Sequence, residues 1–323
     1  MPEPSPSSFR RGRLLRSGAA VVVLLALAGY LAVQYVTGGT GAPRCEVVSG
    51  KGDGASFEFA PEQAVNAATI SAVGTARGMP ERAVTIALAT ALQESGLRNI
   101  QHGDRDSLGL FQQRPSQGWG TKKQIMDPTY AAGVFYEHLA KVTGYSRLPL
   151  TVAAQRVQRS GYPQAYAKHE PDATLLAAAL TGRAAATLTC DGRPGADPTG
   201  GADSVRAALV RDFGRDVLQE AGAEVGAGAT TSPSPSPTGA DGDGRTVTVP
   251  VPTGTTAGTT LRQRGWELAH WAVANSSALH IVRVSYAGRQ WTAGNTDSEW
   301  RRATADKSGS VKPDAEVRIV TGQ

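Results

Sequence analysis

Between Pro61 and Leu188 apolar residues recur at helical spacing, and Gly and Pro interrupt them where helices must stop. Pro61 opens a run through Val65, Ala68, Ile70, Val73 and Ala76 that ends at Gly78. Pro80 suits the first turn of the next helix, because the N–H it lacks has no partner there. Val84, Leu88, Ala91 and Leu92 form one apolar face, and Gly96 supplies a left-handed stop. Asp127-Pro128 caps a further helix through Phe135 and Leu139. Two more helices are expected at Leu150–Arg159 and Ala173–Leu188. Between Arg98 and Gln124 no period is visible, yet Leu110, Phe111 and Trp119 argue for an ordered segment. The fold class that follows is mainly α.

The rest of the chain is parsed by composition. Residues 17–36 form an uncharged apolar stretch after Arg10, Arg11, Arg13 and Arg16. Twenty such residues would span roughly 30 Å as a helix, and the basic flank would stay inside. The expectation is a cytoplasmic basic tail over 1–16 and a transmembrane anchor over 17–36. The protein is then a single-pass cell-membrane protein, its bulk extracellular, or secreted if cleaved near Ala42. Cys45 and Cys190 are the only two cysteines, and they bracket the helical domain at 45–190. On the exported side they are expected to form a disulfide.

Residues 191–244 read as a linker holding one amphipathic helix (Val205, Leu209, Phe213, Leu218) and a Ser/Pro tether. Residues 245–323 alternate like strands at 246–249, 279–286, 289–292 and 315–321, around a helix at 266–277. They make a small C-terminal α/β module. Its Trp266, Trp271, Trp291 and Trp300 suit either a core or an aromatic binding face. Ten basic against six acidic residues in this module suggest an anionic wall polymer as a partner. Nothing points to nucleic acid. With two cysteines, no CxxC and no histidine ligand spacing, neither a metal nor another cofactor is expected, which leaves a metal carrier with little support.

The chemistry concentrates in Ala91-Leu-Gln-Glu-Ser-Gly-Leu97 and Ser107-Leu-Gly-Leu-Phe-Gln112. A carboxyl at the end of an apolar helix meets the negative pole of that helix and partial burial, and both favour the protonated acid. Such an acid is what glycosidic cleavage needs. Glu94-Ser95 followed by Gly109-Leu-Phe-Gln112 resembles the Glu-Ser and Gly-Leu-Met-Gln motifs of the soluble lytic transglycosylases. Gly103-Asp-Arg105 is similar to the matching stretch of goose-type lysozymes. Gly161-Tyr-Pro-Gln-Ala-Tyr166 falls where the transglycosylases carry an acid-positioning Tyr. The run through Arg114-Pro-Ser-Gln-Gly-Trp-Gly120 resembles a lysozyme-like subgroup of exported actinobacterial wall proteins.

That resemblance covers roughly residues 55–190. It implies a lysozyme-like helical domain that cuts peptidoglycan strands as a lytic transglycosylase or muramidase. Glu94 would be the acid and later the base. Asp104, or Asp106 in its place, would activate water. Ser95, Ser107, Gln112 and Trp119 would line the cleft, with Tyr166 or Tyr162 beside Glu94. Trp119 suits a sugar platform or a core plug equally. Three departures stand out: Phe111 for Met, Arg114 where goose-type enzymes offer an Asp, and Ala167 for Asn. The last two weaken water activation and leave a second reading, a wall-binding or scaffold protein without turnover.

Overall fold

The computed structural model describes residues 29, 43–159, 164–192, 200–219, 244–251, 260–294, 299–303 and 315–322. From Pro43 onward the chain forms one compact unit. Strands β1 (Cys45–Val48) and β2 (Ser56–Phe59) lead into helices α1 (Pro61–Ala76) and α2 (Glu81–Ser95). After an irregular stretch come α3 (Pro128–Ala140), α4 (Leu150–Gln158), α5 (Glu170–Leu180), β3 (Leu188–Cys190) and α6 (Ala202–Phe213). The remainder comprises β4 (Thr246–Pro250), α7 (Leu261–Ala274), β5 (Ile281–Tyr286), β6 (Arg289–Thr292), β7 (Arg301–Arg302) and β8 (Glu316–Thr321). Single turns of helix fill several connections.

Two parts of the expected fold are corrected. Helix covers only about half of the described residues, and the strands form two antiparallel sheets, β2-β1-β3 and β4-β8-β5-β6-β7, so the chain is not mainly α. The first sheet escaped notice because its strands are three or four residues long, too short to show a period of two. The helix expected over Ala173–Leu188 is also shorter: α5 stops at Leu180, and left-handed Gly182 turns the chain towards β3.

The second correction concerns the membrane. No helix among the described residues is long and apolar enough to cross one, so the expected single-pass cell-membrane placement finds no spanning helix there. The longest, α1, has 16 residues, about 24 Å of rise against a hydrocarbon core of roughly 30 Å. The run at 17–36 lies outside the described residues, apart from Gly29.

Helix α2 is the axis of the assembly. Every residue from Ala83 to Leu92 is buried, and such a helix must be enclosed on all sides. α5, α1, α3 and α4 pack around it, and its alanines keep those neighbours close. Gly96 (φ 62) ends it, with its N–H bonded to the Ala91 and Leu92 carbonyls. Asp127 caps α3 through the N–H groups of Thr129 and Tyr130. The Cys45–Cys190 disulfide joins neighbouring strands β1 and β3, whose registers place the two residues opposite each other.

The C-terminal sheet does not stand apart. Val247, Ile319, Val284 and Trp291 share one cross-strand row, all buried on the α7 side. α7 also packs on α1, α5 and β3. Trp271 Nε1 donates to Asp212 Oδ2 (2.9 Å), which also accepts from Thr69 Oγ1 (3.2 Å). Trp300 Nε1 donates to the Leu188 carbonyl at 2.9 Å. The four tryptophans are at most 6% exposed, so they form core and not a binding face.

Candidate functional site

Glu94 lies where the enclosed helix α2 reaches the surface. Leu92 is buried, whereas Gln93, Glu94 and Ser95 are half-buried. The turn after it is clamped from α1: Gln63 Nε2 donates to the Gly96 carbonyl at 2.7 Å and Asn66 Nδ2 to the Leu97 carbonyl at 2.8 Å. Tyr166, fully buried, donates its hydroxyl to Glu94 Oε1 at 2.6 Å, linking residues 72 positions apart in sequence. Burial pushes the Glu94 carboxyl above the ordinary glutamate range, while the hydrogen bonds from Tyr166 and Gln158 pull it partly back.

Opposite Ser95 runs the turn 108–113. Leu108 and Gln113 exchange both backbone hydrogen bonds at 3.0 Å, closing it. Gly109 sits at φ 73, and a Cβ there would lie 2.7 Å from the Ile125 carbonyl oxygen, so only glycine fits. Ser95 Oγ donates to the Leu110 carbonyl at 2.8 Å, and Gln158 Nε2 to the Phe111 carbonyl at 2.6 Å. Gln112 takes a left-handed backbone (φ 48), and its Nε2 donates to the Gly109 carbonyl at 3.2 Å. Its Oε1 lies so close over Gly103 that a Cβ there would come within 1.8 Å. Gln112 therefore shapes the turn, and Gly103 makes room for it.

The other expected residues divide sharply. Ser107 is buried, its N–H bonded to the Asp104 carbonyl at 3.1 Å, and serves the same loop. Asp104 has a side chain 94% exposed and pairs with Arg105 at 3.9 Å. Asp106 accepts from Arg114 Nε at 2.7 Å and from the Ser116 N–H at 2.8 Å, and these bonds hold its carboxyl far below the usual range. Neither aspartate joins the hydrogen-bond set around Glu94 among the described residues. Trp119 stacks on His138 with centroids 4.3 Å apart and is only 8% exposed, which makes it a plug under the loop. Tyr162 lies outside the described residues.

Two neighbours of the acid were not anticipated. Gln158 is the last residue of α4, within a stretch whose sequence predicts only a helix. Gln93 meets His169 Nε2 at 3.2 Å, just beside Glu94. Gln158 falls in no motif, and Gln93, although inside the Ala91–Leu97 stretch, carries no signal of its own, since an amide on a helix resembles any solvated side chain. The set can hold a proton on a half-buried carboxyl and return it. Tyr166 donates to Oε1 of that carboxyl.

Residues 203–313 match a family described as VldE, C-terminal domain. The match takes in α7 and β4 to β7 with most of α6, and it includes no residue of the Glu94 site. No curated protein matches the chain.

Proposed function

We propose that the protein cleaves the MurNAc–GlcNAc backbone of peptidoglycan, with Glu94 as general acid and then base. The observation that carries this reading is the half-buried Glu94 carboxyl, bonded to the buried Tyr166 hydroxyl and raised in proton affinity by desolvation. The Glu94 carboxyl would protonate the bridging oxygen as the ring gains oxocarbenium character. Tyr166 fixes the carboxyl plane and steadies the carboxylate left behind. With Asp106 committed to Arg114 and Asp104 turned to solvent, a single-acid route that closes on the sugar's own hydroxyl is favoured over hydrolysis.

Digestion of purified peptidoglycan by the full chain tests this. Glu94→Gln is expected to lower soluble-fragment release by about a thousandfold. Equal release by both chains would remove Glu94 from the reaction. Anhydro ends on the fragments would mark a transglycosylase, reducing ends a hydrolase. Among the described residues no second carboxylate joins Glu94, which also favours a protein that holds glycan without cutting it. That reading predicts retention on insoluble wall with no fragment released by either chain.

A further inference from the structure

The C-terminal sheet has two unlike faces. Val249, Val284, Trp291 and Ile319 are buried on the α7 side, and the residues that alternate with them along the strands point the other way. One cross-strand row on that outer face reads Thr248, Arg318, Ser285, Gln290 and Arg301, one residue from each strand in the order β4-β8-β5-β6-β7. All are half-buried or exposed. Neighbouring strands lie ~4.8 Å apart, so three steps put the backbones of Arg318 and Arg301 about 14 Å apart. Arg283, exposed and two residues before Ser285 on β5, adds a third guanidinium to the face.

Charge on these strands is one-sided. Arg283, Arg289, Arg301, Arg302 and Arg318 are offset by one acid, Glu316. Arg289 and Arg302, on the other face of the β7 edge, are direct cross-strand partners, a placement in which like charges repel. Both are exposed, and neither pairs with a carboxylate among the described residues; Arg289 Nη1 donates instead to the Trp300 carbonyl at 3.4 Å. An anion lying along that edge would relieve the repulsion.

We propose that the outer face and the β7 edge of this sheet bind a phosphodiester polymer of the cell wall. The guanidinium fork matches phosphate oxygens two at a time, and these strands carry arginine with no lysine. Thr248, Ser285 and Gln290 supply uncharged donors between the charges. Two other polyanions fit less well. A membrane surface is held by apolar side chains inserted beside the basic ones, and the exposed large apolar residues, Val48 and Leu261, belong to neither this face nor this edge. Single-stranded nucleic acid stacks its bases on aromatic rings, and the tryptophans of this region are core. A flexible polyol phosphate needs only charge and hydrogen bonds. None of these residues belongs to the Glu94 site.

Titration calorimetry of the full chain with poly(glycerol phosphate) tests this. Three phosphate contacts should make the affinity fall about twentyfold between about 50 and 200 mM salt. At the lower salt, Arg283→Gln should weaken binding about fivefold and the double variant Arg301→Gln/Arg302→Gln about twentyfold. Glu316→Gln should tighten it, an opposite shift that a loss of structure would not give. Wild-type chain that does not bind the polymer overturns the proposal, and so does equal affinity of wild type and the arginine variants. Tighter binding to anionic lipid vesicles or to single-stranded DNA than to poly(glycerol phosphate) also overturns it and assigns the face to that partner. If the double variant fails to fold, the opposite shifts of Arg283→Gln and Glu316→Gln decide. The measurement needs no turnover, so a chain that releases no glycan would remove the proposed reaction while leaving this result readable.

Discussion

At Glu94 the needs of chemistry and stability oppose each other. Its carboxyl has a higher pKa in the folded chain than in the unfolded one, because burial outweighs two hydrogen bonds. Below the unfolded pKa both states are protonated and the group costs nothing. As pH rises through that pKa, the unfolded chain ionises first and the folded state loses stability. Glu94→Gln removes that loss, and its carbonyl can still accept from Tyr166. The variant is expected to melt about 2 °C higher than wild type at pH 7 and at the same temperature below pH 4. Thermal scans at the two pH values check this, independently of any activity. A lower melting temperature for Glu94→Gln at pH 7 would mean that the carboxylate is stabilised where it sits.

Helix α7 is held to the helical region by a buried histidine. His270 Nδ1 donates to the Ala179 carbonyl at 2.7 Å, and Nε2 accepts from the Thr187 N–H at 3.3 Å. That pattern requires the neutral ring. Burial accordingly pushes its pKa down to about 4, with the Ala179 bond opposing. Unfolded histidine takes up a proton near 6.5. Between these values the unfolded chain binds the extra proton, so stability falls as pH drops from about 6.5 to 4, by about 3 kcal/mol in all. His270→Gln should flatten that slope, although the variant starts less stable at pH 7. Urea melts at half-unit pH steps measure it. A wild-type slope that persists in His270→Gln would assign the acid sensitivity elsewhere.

For the molecule as a whole, the expected boundary between a helical domain and a C-terminal module is bridged by packing and hydrogen bonds. Gly182, at φ 72 on the helical side, lies against α7 so closely that a Cβ would meet the Gln263 carbonyl oxygen at 1.9 Å and the Glu267 nitrogen at 2.7 Å. Glu267 is buried, accepting from Thr75 on α1 and paired with Arg264 at 2.7 Å. Gly182→Ala must push two backbones apart in a conformation that alanine resists, and should cost about 3 kcal/mol or more. With this interface intact, residues from Pro43 onward should unfold in one transition. Calorimetry of wild type and Gly182→Ala tests both statements, and two separated wild-type transitions would contradict the shared core.

Local chemistry was legible in the sequence. Pro80, Gly96 and Asp127 mark helix ends because their backbone preferences act within a few residues, and α2 runs from Pro80 to Gly96 while α3 opens directly after Asp127. The two cysteines could pair only with each other. The neighbourhood of Glu94 with the 108–113 turn was also visible, since the two stretches lie close along the chain. What only the tertiary structure decided depends on segments far apart in sequence. Strands as short as Leu188–Cys190 have no identity until β1 lies beside them. Asp104 and Asp106 looked alike as letters, and only folding turned one to solvent and tied the other to Arg114. Gln158 came to donate to the Phe111 carbonyl, 47 positions away, because α4 packs on α2, a meeting set by packing and not by any pattern in either segment.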